Sequence, residues 1–287
     1  MRTGAFTALV TLFDDAGEVD HAAVAAHVLR VAEAGQDGIL VCGTSAEFSL
    51  LDESERMAVT ETAIEAAAGR IGVIVHVGAP STRASVRLAR HAAAAGADAL
   101  AAVTPYYLKT DGAGLRSHLE AIREAAPDRP LAAYSIGRVA GYEHPVDVLA
   151  DLAARDVLHA VKESGDDLGR LLDIKAACSD RFAVFAGSPS LQAAVYPHGL
   201  EGAILGLANA APGECAEVAR LARAGDHAAA GALTARLRPL AAALAVGTPL
   251  AALKEAMAVR FGTSPAVRAP GHRLGDAERA AIAATFG

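Results

Sequence analysis

The sequence predicts an α/β fold, a closed (β/α)8 (TIM) barrel with a C-terminal helical appendage, on three observations. Eight short apolar runs recur at a spacing of roughly 20 to 33 residues, with helical patterns between them. The runs are continuously hydrophobic rather than alternating, as strands covered on both faces require. The length of 287 residues suits one barrel of about 250 residues with an extension better than two equal domains.

The predicted strands cover residues 6–12, 38–41, 71–77, 99–103, 131–134, 158–162, 182–185 and 202–205. Helices between them have legible ends. Asp20 caps a helix whose Val24, Val28 and Val31 share one face, and Gly35 stops it. Asp52, with Glu55 three residues on, forms a capping-box pattern, and Gly69 closes that helix. A third helix starts after Ser81 and ends at Gly96. The competing architecture is an open doubly wound sheet, which usually has fewer strands and often a GxGxxG turn after the first. This chain has Thr11-Leu12-Phe13-Asp14 there. Beyond residue 225 no strand pattern remains, and 227–246, 249–261 and 276–286 read as helices. The expected division is a barrel over residues 1–224, carrying the active site, and a three-helix region over 225–287.

Hydrophobic residues make up 53% of the chain and aromatics only 4%, without tryptophan. The apolar content is mostly Ala, Val and Leu, suited to close helix-on-strand packing rather than to aromatic ligand cages. A net charge of −7 excludes the basic face of a typical nucleic-acid binder. Cys42, Cys178 and Cys215 are far apart and show no CxxC spacing. They point to a reducing, cytoplasmic compartment without disulfides or a zinc knuckle. The apolar run at 5–13 leads straight into Asp14 and Asp15 with no cleavage pattern, so it reads as a strand and not a signal peptide. The apolar stretch at 239–253 is broken by Gly247-Thr248-Pro249 and is too short to span a bilayer. A soluble protein with no membrane partner is expected.

Lysine is scarce, four residues against twenty-two arginines, so a nucleophilic amine is quickly sought. Lys109 lies in a polar loop, where solvation is expected. Lys175 sits on a helix and is expected to face water. Lys254 lies in a C-terminal helix, with a surface or inter-helix role expected. Lys162 ends the sixth apolar run and precedes the loop Glu163-Ser164-Gly165-Asp166-Asp167. That is the strand end at which barrels of this type place their chemistry. A solvated lysine titrates near 10.4, whereas burial disfavours the charged form and supplies an amine able to attack a carbonyl. From position alone, pairing of Lys162 with a carboxylate across the barrel mouth stands beside the nucleophilic reading. His76 and His159 read as satisfied core residues, and Glu47 and Glu163 as partners of nearby donors.

Gly43-Thr44-Ser45-Ala46-Glu47, Thr104-Pro105-Tyr106-Tyr107, Tyr134 and Val161-Lys162-Glu163-Ser164-Gly165-Asp166 occur in order along the chain. With the 202–205 strand, Asn209 and the helical tail, they resemble the dihydrodipicolinate synthase/N-acetylneuraminate lyase family of class I aldolases. The resemblance implies an imine between Lys162 and a 2-oxo acid. It implies a proton relay through Tyr134, extended by Thr44 and by Tyr107 from a neighbouring subunit. It implies that Thr44 and Ser45 hold the substrate carboxylate and that Ile204, Gly187 and Arg138 contribute to substrate binding. No metal or organic cofactor is expected, and a homo-oligomer, a tetramer built as a dimer of dimers, is.

The chain departs from the family pattern in three places. Ala46 stands where the motif has Gly, next to the carboxylate loop, where a methyl would narrow the pocket. After Tyr134 the family's synthases carry an arginine for the second carboxylate; here Val139 holds that place and Arg138 lies one residue early. Gly187-Ser188-Pro189 replaces a Gly-Asp-Asp after the seventh strand. A phosphate site at the 187 and 206 glycines is the competing reading of those loops. The first expectation for function is therefore a pyruvate-type aldolase or lyase on a sugar-derived 2-oxo acid. The alternatives are 4-hydroxy-tetrahydrodipicolinate synthase, a 2-keto-3-deoxy sugar acid dehydratase, and a non-catalytic metabolite-binding barrel.

Overall fold

The computed structural model describes residues 2–245 and 248–287. Its eight strands are β1 (Gly4–Ala8), β2 (Gly38–Val41), β3 (Gly72–His76), β4 (Ala99–Val103), β5 (Leu131–Ser135), β6 (Ala160–Glu163), β7 (Ala183–Ala186) and β8 (Gly202–Leu205). They pair in parallel, in sequence order, and β8 closes on β1. The (β/α)8 barrel expected from the apolar runs is thus present, with shifts of one or two residues at the ends of β3, β5, β6 and β7 and the largest at β1. β1 begins two residues before the predicted run and ends at Ala8. Leu9, Val10, Leu12 and Phe13 remain buried, but the Asn209 side-chain oxygen takes the Val10 amide at 3.0 Å, and the ladder stops there.

Barrel closure depends on glycine. Gly202 has φ +147°, and a Cβ there would lie 2.0 Å from the Gly4 carbonyl oxygen, so only glycine lets β8 approach β1 this closely. Inside, Phe6, Leu40, Ile74, Phe185 and Ile204 pack among alanines, with the Phe6 and Phe185 rings edge to face at 5.8 Å. Two large rings among small side chains fill the layers, which is how an alanine-rich chain makes a packed core rather than a pore.

The barrel helices are α1 (His21–Glu33), α2 (Glu53–Ala67), α3 (Thr82–Ala95), α4 (Gly112–Ala125), a one-turn α5 (Gly137–Ala140), α6 (Val146–Ala154), α7 (Leu168–Ala177) and α8 (Pro212–Arg223). Asp20 accepts from the Ala23 amide at 2.9 Å, and Asp52 and Glu55 form both bonds of a capping box. Gly35 and Gly96 end their helices at positive φ, whereas α2 already turns at Ala68, one residue before Gly69. Between β7 and β8 the chain makes two single 3-10 turns, Pro189–Leu191 and Tyr196–His198, in place of a full helix. Each contains a proline, whose missing N–H cannot extend a helix. The tail forms α9 (His227–Ala243), α10 (Pro249–Phe261) and α11 (Asp276–Phe286). Val246 and Gly247, read from sequence as the end of one helix and part of the break after it, lie outside the described residues. Among the described residues no helix is long and apolar enough to cross a membrane.

Two lysines have carboxylate partners that the sequence does not announce. The Lys175 ammonium is turned back from water, donating to the Phe182 carbonyl at 3.0 Å and to Glu201 at 2.5 Å. Lys254 is fully buried, 2.5 Å from Glu47. Each is held by a carboxylate that comes from a remote part of the chain, which helical periodicity does not reveal.

Burial of imidazoles makes the fold acid-sensitive. Burial pulls His27 and His118 down to about 4 and His144 to about 3, and pulls His76 well below its ordinary value. In the unfolded chain all four titrate near 6.5. The unfolded state therefore gains protons that the folded state refuses as pH falls below about 6.5, and stability drops until the folded values are reached. Each imidazole contributes a slope of up to about 1.4 kcal/mol per pH unit. Unfolding at pH 5 is expected to take up at least about three protons, measured from the pH dependence of urea-unfolding free energy. An uptake below one proton would show that these rings are not held neutral.

Candidate active site

Strand periodicity sets two reactive groups side by side. Ala132 on β5 and Ala160 on β6 face the barrel interior. Two residues further on, Tyr134 and Lys162 face inward as well, one layer nearer the C-terminal end of the strands. They are register partners across the β5–β6 ladder. The Lys162 Nζ lies 4.3 Å from the centre of the Tyr134 ring, and the residues are 5% and 2% exposed. Glu163, the next residue, alternates outward and accepts from Arg170 Nε at 2.9 Å and from the Gly165 amide at 3.1 Å. Among the described residues no carboxylate pairs with Lys162, since the adjacent one is committed to Arg170.

The tyrosine is held from two sides. After β2 the chain bends at Cys42 (φ +56°) and makes a 3-10 turn over Thr44–Ala46. That turn carries Thr44 Oγ1 to 3.0 Å from the Tyr134 hydroxyl. On another side the His76 ring packs edge-on at 5.7 Å. His76 donates through Nδ1 to the Cys42 carbonyl at 2.8 Å and accepts the Val103 amide on Nε2 at 3.2 Å. Both ring nitrogens are satisfied by backbone, and burial, with Arg56 nearby, keeps the ring neutral. It is a packing residue.

Thr44, Ser45, Tyr134, Lys162, Gly187 and Arg138 all line one cavity of about 600 Å³ at the C-terminal mouth of the barrel, a volume suited to a small metabolite. A Cβ on Gly187 would come within 2.4 Å of Ser164 Oγ, so glycine there admits the β6 loop to the wall. Arg138 donates to the Ser164 carbonyl at 2.8 Å, and Val139 beside it is 58% exposed and also reaches the cavity. Ala46 is buried outside the wall, so its methyl does not narrow the pocket.

Two expected residues lie apart from this group. Ile204 is buried one layer lower in the barrel, and the wall contributed by its strand end is Gly206 and Leu207. Tyr107 is 92% exposed in the loop after β4, at φ +73°, and does not reach the cavity of its own chain.

The sequence assigns no role at the wall to three further residues, Ser188, Ser190 and Asp166, although Asp166 belongs to the motif that follows Lys162. Ser190 donates to Asp166 Oδ1 at 2.6 Å, Ser188 donates to the same oxygen, and the two hydroxyls are 2.8 Å apart. These bonds hold the Asp166 carboxyl below the usual carboxylate range. Ser188 is visible only within the loop that replaces the Gly-Asp-Asp pattern, and Ser190, just beyond it, carries no signal. The opposite wall comes from α9 and α10, with Leu237, Ala241, Leu250 and Leu253. Among the described residues no three His, Cys, Asp or Glu side chains converge as a metal site.

The model of the dihydrodipicolinate synthetase family matches residues 1–286. The chain belongs to that family. It is 35% identical over 284 residues to an uncharacterized DapA-like lyase of Halobacterium salinarum, covering 98% of this chain and 92% of that one. It is 35% identical over 271 residues to the 4-hydroxy-tetrahydrodipicolinate synthase of Agrobacterium fabrum, covering 94% and 92%. The crystal structure of dihydrodipicolinate synthase from Aquifex aeolicus superposes with a TM-score of 0.93 at 31% identity, over 98% of this chain and 95% of that one. A prophage protein of the same family from E. coli K12, in complex with pyruvate, gives 0.95 at 26% identity, over 98% and 96%. As a family member the chain is a lyase of the class I aldolase type, acting on pyruvate or another 2-oxo acid through a lysine Schiff base.

Proposed function

We propose that Lys162 forms the imine, that Tyr134 moves the protons, and that the enzyme makes or breaks a C–C bond of a sugar-derived 2-oxo acid. The observation that carries this is the convergence of Lys162, Tyr134 and Thr44 on one cavity at the barrel mouth. The Lys162 amine attacks the ketone carbon, and the resulting carbinolamine loses water to give a protonated imine. That imine draws electrons from the neighbouring carbon, which loses a proton or its bond to the next carbon and becomes an enamine. Tyr134 gives and takes these protons, with Thr44 Oγ1 as the next oxygen in the relay. Thr44, Ser45 and their loop amides hold the substrate carboxylate.

Polar wall residues support the sugar-derived reading. Ser188, Ser190 and Asp166 form a set of donors and acceptors that suits hydroxyl groups. Val139 occupies the place of the family's carboxylate-binding arginine, and Arg138 is engaged with Ser164. The name carried by relatives at 33–36% identity favours the second reading, synthesis of 4-hydroxy-tetrahydrodipicolinate from pyruvate and aspartate semialdehyde. A substrate panel separates the two. Cleavage of 2-keto-3-deoxy sugar acids or acylneuraminates is expected at kcat/KM at least about tenfold above consumption of aspartate semialdehyde, a difference of about 1.4 kcal/mol in transition-state binding. Efficient synthase turnover by the unaltered protein would reverse the assignment.

We also propose that the enzyme is a cytoplasmic homo-oligomer, a dimer of dimers, in which Tyr107 reaches the site of a neighbouring copy. The exposure of Tyr107 and Leu108, 92% and 76%, supports a covered surface there.

A further inference from the structure

Glu47 directly follows the turn that carries Thr44 and Ser45, and its backbone is left-handed, φ +56°, a region that side chains other than glycine rarely adopt. It is 3% exposed. Two contacts from the C-terminal part of the chain hold its carboxylate. Lys254 on α10, with no exposed surface, lies 2.5 Å from Glu47 Oε1. Its ammonium also donates to the Ala266 carbonyl at 2.8 Å and sits 4.1 Å from the Phe13 ring centre. The Arg268 amide donates to Glu47 Oε2 at 2.9 Å. Arg268 is itself fixed by Glu55 at 2.5 Å and by the Gly17 carbonyl at 2.6 Å.

On the inner side, the Glu47 amide donates to the Thr44 carbonyl at 3.1 Å, and Thr44 Oγ1 meets the Tyr134 hydroxyl at 3.0 Å. A continuous chain of contacts thus runs from α10 and the 266–268 segment, through Glu47, to the turn beside Lys162. None of these residues except Thr44 and Tyr134 lines the main cavity with Lys162. A buried cation and carboxylate are a poor source of net stability compared with apolar residues of the same volume, but they restrict geometry, because each must face the other.

We infer that Glu47 and Lys254 are positioning residues, through which the C-terminal helices hold the Thr44–Ser45 turn in the conformation that binds the substrate carboxylate. The helical tail is then part of the binding apparatus as well as a wall of the cavity. This inference rests on the reading in which Thr44 and Ser45 hold the carboxylate and Lys162 forms the imine.

The test is borohydride trapping of the pyruvate imine, followed by peptide mass spectrometry over a range of pyruvate concentrations. Two variants are used, Glu47→Gln, which preserves volume and the acceptor for Arg268, and the apolar pair Glu47→Leu with Lys254→Met. The pyruvate concentration for half-maximal trapping is expected to rise about threefold in the first and at least about tenfold in the second. The plateau at saturating pyruvate is expected to stay complete in both, since Lys162 and Tyr134 are intact. A brace that served stability alone would lower the melting temperature and leave half-saturation unchanged. Half-saturation within a factor of about 1.5 of the unaltered protein, in whichever variant is folded by circular dichroism, overturns the inference. Ser45→Ala is run alongside. If Ser45→Ala weakens pyruvate binding and the Glu47 variants do not, only the positioning role fails. If the unaltered protein traps no pyruvate on Lys162, the underlying reading fails instead.

Discussion

Lys162→Met is expected to abolish imine trapping and to lower turnover by at least about 10⁴-fold, the scale on which removal of a covalent nucleophile acts. No other lysine can take its place. Lys109 is exposed on a loop, Lys175 is engaged by Glu201, and Lys254 is engaged by Glu47. The substitution removes a buried polar amine that has no carboxylate partner among the described residues, while methionine fills nearly the same volume. The melting temperature is therefore expected to hold or to rise. This separates loss of chemistry from loss of fold in one variant. Reduction with borohydride in the presence of pyruvate, followed by peptide mapping, reads it directly. A pyruvyl adduct that persists in Lys162→Met, on any peptide, would remove Lys162 from its assigned role.

The barrel was legible because its signal is local and repeated. Strands such as β4 and β8 are short apolar runs between capped helices, and their bounds in the structure, Ala99–Val103 and Gly202–Leu205, match those read from sequence. Where the reading slipped, a distant residue intervened. The run at 6–12 stays buried throughout, yet the side chain of Asn209 ends the ladder at Val10. The helix expected between β7 and β8 is replaced by two proline-containing turns. Proline's effect there was readable in principle; the Asn209 contact, 199 residues along the chain from Val10, was not.

The site divides along the same line. Lys162 and Tyr134 could be placed from strand position and family motif, because period-two alternation carries both inward at one end of the barrel. Ser188 looked like part of the loss of an acidic pattern and Ser190 carried no signal, and only the fold shows both hydroxyls on Asp166. Lys254 read as a surface or inter-helix residue, since nothing in its helical surroundings announces a carboxylate two hundred residues earlier. Ile204 illustrates the limit of transferring roles by motif. It lies on the expected strand, but the cavity floor falls above it, at Gly206.

Tyr134→Phe is expected to lower the rate of carbon–carbon bond chemistry by about 10²- to 10⁴-fold, the range for loss of a positioned acid–base group. Imine trapping at saturating pyruvate is expected to reach the same plateau, but more slowly, because dehydration of the carbinolamine also needs a proton. Stability is expected to change by only about 1 kcal/mol, the worth of one hydrogen bond to Thr44. The ring keeps its edge-on contact with His76 and its place beneath the Lys162 Nζ. Thr44→Val leaves the phenol in place and removes the next oxygen, so its effect should be smaller than that of Tyr134→Phe and of the same kind. If Tyr134→Phe instead raised only the pyruvate concentration needed for trapping, with both rates preserved, the phenol would be a binding group. The proton would then have to travel by another route, and Tyr107, exposed on its own chain, would be the next residue to test.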